Sequence, residues 1–157
     1  MISKKCFCIG HRDTPEDIFP LLQKTILHHI TEYGVTEFLV GHYGSFDRLA
    51  KKAVLAAKND FPQVKLTLLQ PYYVPQKQIE IPSGFDDTLY PSGMENVPKR
   101  LAIVRANQYA VSASQYLIAY VSHPASNARN ILEYAEQREK KGLISVENLG
   151  CDVLHLE

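Results

Sequence analysis

Glu37-Phe38-Leu39-Val40-Gly41-His42-Tyr43-Gly44-Ser45-Phe46-Asp47-Arg48 is the stretch whose reading decides the fold. Its first residues form a short, continuously apolar run closed by a glycine, the pattern of a strand covered on both faces. After Gly41 and Gly44, the residues Leu49, Ala50, Ala53, Val54 and Ala57 repeat on one side of a helix, and Ser45 is placed to cap it. The same grammar holds upstream. Cys6 to Ile9 is an apolar run ending in Gly10, and Ile18, Leu22, Ile26 and Ile30 recur every fourth residue until Gly34. Thr14 is read as the N-cap of that helix, with Pro15 at its first position.

Downstream, Val64 to Leu69 reads as a third strand. Residues Pro71 to Pro98 then hold five of the nine prolines and read as a long irregular loop: a lid, a dimer arm or plain packing. A helix is expected from Lys99 to about Ser112, a fourth strand from Tyr116 to Val121, a helix from Asn127 to Lys141 and a fifth strand from Leu143 to Val146. The tail to Glu157 could add a short edge element. Alternating strands and helices with doubly buried strands predict a Rossmann-like three-layer α/β/α fold. The expected sheet is mainly parallel and five-stranded, in the order 3-2-1-4-5, within one domain over residues 1–157.

The 157 residues carry 17 Lys+Arg against 17 Asp+Glu, so the formal net charge is zero. Neutrality argues against a basic nucleic-acid reader, which needs excess cations to neutralise phosphates. It leaves room for a small anion held by one or two arginines. No apolar run approaches the roughly 20 residues of a membrane span, and the amino-terminal stretch lacks the features of a cleaved leader. Cys6, Cys8 and Cys151 make a poor disulfide pattern, so a cytoplasmic location is expected. No second Cys/His pair stands at zinc spacing, and no metal is expected.

In such sheets ligands bind beyond the carboxyl ends of the strands, where the strand order reverses. Three segments stand there. Gly10-His11-Arg12 offers a sharp turn, a proton-transfer or donor group and a guanidinium fork. Gly41, His42, Gly44, Ser45 and Asp47 surround a strand-to-helix turn whose free amides suit an anion. Ser122, His123, Ser126 and Asn127 precede the next helix. Asp47 could bond a ribose hydroxyl or only favour the helix dipole. Arg105 and Asn107 lie on the preceding helix, where Arg105 either reaches solvent or turns into the crevice. His28 and His29 read as partly exposed surface, and Tyr72 and Tyr73 as loop packing or a stacking platform.

With these residues in place, the chain resembles the SLOG superfamily. That Rossmann-like group includes the DNA-processing protein DprA, LOG-type cytokinin-activating phosphoribohydrolases and YpsA-like proteins. The resemblance is carried by Phe7-Cys8-Ile9-Gly10-His11-Arg12, Phe38 to Asp47, Leu69-Gln70-Pro71-Tyr72, Pro98 to Ile103, Arg105-Ala106-Asn107 and Tyr116 to Val121. It is strongest to small bacterial and phage members and covers about residues 5–148.

The resemblance implies a nucleotide or nucleotide-derived ligand, such as an ADP-ribose-like molecule, bound by a sensor or regulator with no required cofactor. It also implies a homodimer or higher homo-oligomer, and places Arg105 where LOG-type enzymes use an arginine. Those enzymes carry P-G-G-x-G-T-x-x-E after the fourth strand, whereas this chain has Ser122-His123-Pro124-Ala125-Ser126-Asn127-Ala128-Arg129-Asn130. Catalysis is therefore left open. The alternative readings are a nucleotide N-glycosidic-bond hydrolase, with His11, Asp47 or Asp86 standing in for the missing glutamate, and an accessory protein acting through protein contacts. A DprA-like role on single-stranded DNA is disfavoured by the zero net charge and the lack of a basic stripe.

Overall fold

Side chains along the first strand, β1 (Lys5–Gly10), alternate between two cores. Cys6 and Cys8 face one side, while Phe7 and Ile9 face the other. The same period of two runs through β2 (Glu37–Val40), β3 (Lys65–Leu69) and β5 (Tyr116–Tyr120). Phe38, Val40, Leu66, Leu68, Ile118 and Tyr120 share the first side, and Leu39, Leu69, Leu117 and Ala119 the second. Both faces are apolar, so both need a helical layer.

These observations come from a computed structural model that describes residues 3–72, 81–124 and 126–150. The first face is covered by α1 (Phe19–Thr31) and α2 (Ser45–Ala57), through Leu22, Ile26, Phe46, Leu49 and Val54. The second is covered by α3 (Lys99–Ala113) and α4 (Asn127–Lys140), through Ala102, Ala106, Ala110, Ile131 and Leu132. Each large buried side chain contributes about 1.5–3 kcal/mol by leaving water. The three alanines of α3 recur every fourth residue, and their small size lets that helix lie close to the sheet.

The sheet differs from the expected one. Among the described residues it has six parallel strands, β1, β2, β3 and β5 with β4 (Asp87–Leu89) and β6 (Ser145–Asn148), in the order β4-β3-β2-β1-β5-β6, where five in the order 3-2-1-4-5 were expected. The extra strand is β4 (Asp87–Leu89), which pairs with β3 at the outer edge. Three residues, Asp-Thr-Leu, carry neither an apolar run nor a period, so β4 reads as part of the proline-rich loop. Its place is held by polar contacts. Asp86 accepts the Leu66 N–H at 2.8 Å and pairs with Lys58, and Lys65 meets Asp87 at 3.0 Å. The last strand, β6 (Ser145–Asn148), lies at the opposite edge.

The described part of the 71–98 loop is packed. Phe85 and Met94 are buried, and Leu89, Tyr90 and Val97 lie on the α3/α4 side. A lid at this loop would bury its aromatic residues on closing, and Phe85 has little exposure left to lose. Tyr73 and the tail from residue 151 lie outside the described residues.

Two expected caps are also different. Thr14 does not cap α1. Its hydroxyl donates to the His11 carbonyl at 2.6 Å, and a 3-10 turn (Glu16–Ile18) intervenes before the helix. Ser45 is the first residue of α2 rather than its cap, and its hydroxyl donates to the Thr14 carbonyl at 2.7 Å. His29 is buried rather than surface-exposed, with Nδ1 2.8 Å from the Thr25 carbonyl and its ring edge-on to Tyr33 and Tyr116. Among the described residues no helix is long and apolar enough to cross a membrane.

Candidate functional site

β1 pairs with β2 on one side and β5 on the other, so the strand order reverses across β1. At its carboxyl end lies a crevice of about 300 Å3. Gly10, His11 and Arg12 enter it from β1, and Gly41, Tyr43 and Asp47 from the β2–α2 turn. Leu69 ends β3 and Pro71 follows it, Ile103, Ala106 and Asn107 project from α3, His123 and Ser126 precede α4, and Asn127 begins it.

Most of the residues expected at the site thus line one space: Gly10, His11, Arg12, Gly41, Asp47, Asn107, His123, Ser126 and Asn127. Gly44, Ser45, Ser122 and His42 do not line it, although the first three shape it through the backbone. Arg105 takes the solvent alternative and is exposed on α3, away from the crevice. Asp86, a stand-in for the absent glutamate, is engaged at the β3–β4 edge. Sequence reasoning missed Tyr43, which lies between the two glycines and is 43% exposed. It also missed the apolar wall of Ile103 and Ala106, although both stand one helical step from Asn107.

The turn before α2 is fixed by close backbone approach. Gly44 has φ +103° and ψ −177°, a region essentially restricted to glycine, and a Cβ there would fall 2.7 Å from the Arg12 Cα. The Ser45 N–H donates to the Arg12 carbonyl at 2.8 Å, so the two exit loops are stitched together. Asp47 closes the turn by accepting the Tyr43 N–H at 2.9 Å, and a Cβ on Gly41 would meet its carboxylate at 2.7 Å. Asp47 stands in the first turn of α2, as the dipole reading expected, and it also acts as a staple across the turn. Burial pushes its carboxyl up to about 6, against the opposing pull of the Tyr43 amide and the Arg12 guanidinium.

His11 is 4% exposed and its ring is held on two sides. Nε2 accepts the Ser122 N–H at 3.0 Å, and the ring stacks on His123 at 3.7 Å with an interplanar angle of 9°. Accepting that amide fixes the neutral tautomer, with the proton on Nδ1. Nδ1 is buried and has no partner among the described residues. Burial, with His123 adding to it, holds the imidazole below its ordinary value, so His11 is a neutral donor at physiological pH. Ser126 does cap α4, accepting the Arg129 N–H at 3.0 Å. Asn127 is the first residue of that helix.

Charge is unevenly distributed along the chain. Residues 96–132 contain Lys99, Arg100, Arg105 and Arg129 and no Asp or Glu. Lys99 and Arg100 occupy the first turn of α3, which has no acidic residue and no side-chain cap. Two cations there reinforce the positive end of the helix dipole, an arrangement that an anion relieves. Arg12, Arg100 and Arg105 are exposed and form no ion pair among the described residues.

The architecture is that of a Rossmann-like α/β protein with its crevice at the switch point. The chain matches no family model, and no curated protein matches it. Among solved structures it is similar to DNA processing protein A from Helicobacter pylori, described for its single-stranded DNA binding mode. The TM-score is 0.57 at 15% identity, and the match covers 87% of this chain and 62% of that one. At that identity the likeness is one of fold.

This finding corrects two expectations. A single-stranded DNA-binding protein shares this fold, so zero net charge is no argument against a nucleic-acid partner. The primary reading of a sensor for a small nucleotide-derived ligand, with a glycosidic hydrolase as its alternative, is set aside with it. The physical error lay in treating net charge as a surface property. The remaining 17 − 4 = 13 basic residues share the rest of the chain with all 17 acidic ones, which hides the acid-free segment. The expected homo-oligomer finds no support in the single chain described.

Two outcomes test the turn. Gly44→Ala should cost about 1–3 kcal/mol, lowering the thermal midpoint by about 2–4 °C for each kcal/mol. Gly34→Ala, at φ +74° with open space around it, should cost less. An unchanged midpoint in Gly44→Ala would contradict the turn geometry. Asp47 binds its proton more tightly folded than unfolded, so its contribution to stability is complete below pH 3.8 and is lost as the pH rises through about 6. Asp47→Asn should remove that decline from a plot of midpoint against pH, and parallel curves for the two proteins would refute it.

Proposed function

We propose that this chain binds single-stranded nucleic acid across the carboxyl edge of its sheet, as a small SLOG-related domain. The observation that carries the reading is the acid-free segment 96–132, which sets Lys99 and Arg100 in the first turn of α3 and leaves Arg105 exposed further along that helix. Backbone phosphates would follow Arg12 and the exposed cations of α3, and one nucleotide would enter the crevice. The fold shared with DNA processing protein A supports this reading, as does the resemblance of Gly10-His11-Arg12 and the Gly41–Asp47 turn to SLOG segments. Phosphate contacts supply affinity without reading sequence, and aromatic groups such as Tyr43 and Tyr72 supply base-tolerant stacking.

A duplex is the poorer fit, because the crevice admits a nucleotide only when it is unstacked. The reading requires no cofactor. It includes a cytoplasmic location, supported by the buried free thiols of Cys6 and Cys8.

Fluorescence anisotropy of a labelled single-stranded oligonucleotide tests this reading. Binding should weaken with salt, with log K falling by about 0.7 per phosphate contact for each unit of log salt. Arg12→Ala and Arg105→Ala should each flatten that slope by about the same amount. The matching duplex should bind more weakly. No anisotropy change at low salt would overturn the proposal.

A further inference from the structure

β5 ends at Tyr120, and the chain leaves it through Val121 and Ser122 on its way to the crevice. Val121 is wholly buried, so both of its backbone groups need partners. The β5–β6 register ends where Ala119 faces Asn148, and there the Asn148 side chain takes over from the ladder. Its Oδ1 accepts the Val121 N–H at 2.9 Å, and its Nδ2 donates to the Val121 carbonyl at 3.1 Å. Oδ1 also accepts the Gly150 N–H at 3.0 Å. A carboxamide carries a donor and an acceptor, as a peptide group does, so Asn148 stands in for the next residue of a strand.

The Val121 carbonyl and the Ser122 N–H belong to one planar peptide group. Among the described residues every peptide bond is trans, so the oxygen and the hydrogen of this group point in opposite directions. Asn148 Nδ2 meets the oxygen, and His11 Nε2 accepts the hydrogen at 3.0 Å. One rigid plane therefore joins Asn148 to His11 across the exit of β5. Hydrogen bonds in such a chain polarise one another, so a donor on the carbonyl strengthens the amide as a donor on the far side. The receiving ring is buried and stacks at 3.7 Å on His123, which lines the crevice.

We infer that Asn148 is a positioning residue for the crevice: through the Val121–Ser122 peptide it sets the tautomer of His11 and the seat of the His123 ring. Asn148 is half-buried on the edge strand β6 and does not line the crevice, so it acts on a bound strand only through this relay. Its effect on strand affinity rests on the proposed strand binding, and its effect on His11 does not.

Long-range proton–nitrogen NMR of the histidine rings tests the relay at about pH 8, where a histidine is neutral and an aspartate ionised. In the wild-type chain His11 should show one tautomer, protonated on Nδ1. Asn148→Asp keeps the acceptor for the Val121 and Gly150 amides but sets a carboxylate against the Val121 carbonyl. Asn148→Ala removes every bond of the side chain. Both variants should give a mixture of the two His11 tautomers, and Asn148→Ala should speed hydrogen exchange at Val121 and Gly150. Asn148→Ala should also weaken single-strand binding by about twofold to thirtyfold, with the salt slope unchanged because no phosphate contact is lost. A merely structural clamp would open the Val121 amide and leave His11 as it was, so a tautomer unchanged in both variants would overturn the inference. Should Asn148→Ala not fold, Asn148→Asp decides alone. A mixture of tautomers already present in the wild-type chain would overturn the inference too, and a shifted tautomer with undiminished strand affinity would overturn the role at the crevice. Failure of the wild-type chain to bind any strand would overturn the proposed function and leave the relay to be decided by the tautomer.

Discussion

Where the exit loop of β1 crosses the start of α2, the Arg12 carbonyl accepts the Ser45 N–H and no room remains for a Cβ on Gly44. This contact ties together two loops that leave neighbouring strands in the same direction. Without it the β2–α2 turn would have no fixed distance from β1, and Tyr43, Asp47 and Arg12 would not share one space. On the other side of β1, the Ser122 amide on His11 Nε2 performs the same task for the loop after β5. The crevice is thus held by two backbone donors, one from each flank of the central strand. Both loops leave elements whose cores are closed, so their geometry is inherited from a rigid frame.

The legible part of the fold was the part governed by burial. Cys6 to Ile9, Phe38 to Val40 and Tyr116 to Tyr120 are continuously apolar because both faces are covered, and such runs admit few other readings. The helices were legible for the same reason, as in the fourfold spacing of Leu22, Ile26 and Ile30. β4 was not legible, since it stays in the sheet through pairing with β3 and through Asp86 and Asp87, which touch lysines distant in sequence. Thr14 and Ser45 failed as caps for a related reason. The Thr14 hydroxyl turns back to the His11 carbonyl within its own loop, and that of Ser45 crosses the loop junction to the Thr14 carbonyl, so neither is left to cap a helix.

The site was half legible. Glycines at strand ends mark places where the chain must turn, and strand order then brings those places together. Side-chain direction was not legible, as Arg105 shows: nothing in Ile103-Val104-Arg105-Ala106 tells which residue of the helix faces the sheet edge. Electrostatics misled for a different reason. A ligand at one edge responds to charges within about a Debye length, ~8 Å at physiological ionic strength, and not to the sum over the chain. An acid-free segment of 37 residues, from 96 to 132, can coexist with a formal charge of zero. The distribution, rather than the total, describes what a phosphate backbone meets.

The central claim is that a single strand lies across the carboxyl edge of the sheet, over the crevice between the β1 exit and α3. Photo-crosslinking of a single-stranded oligonucleotide substituted with a photoreactive base, followed by mass spectrometry of the peptides, locates the strand directly. The account expects crosslinks in the peptides containing Tyr43, Asn107 to Tyr109, and His123. Crosslinks confined to the outer faces of α1 and α2, or to the β6 edge, would contradict it.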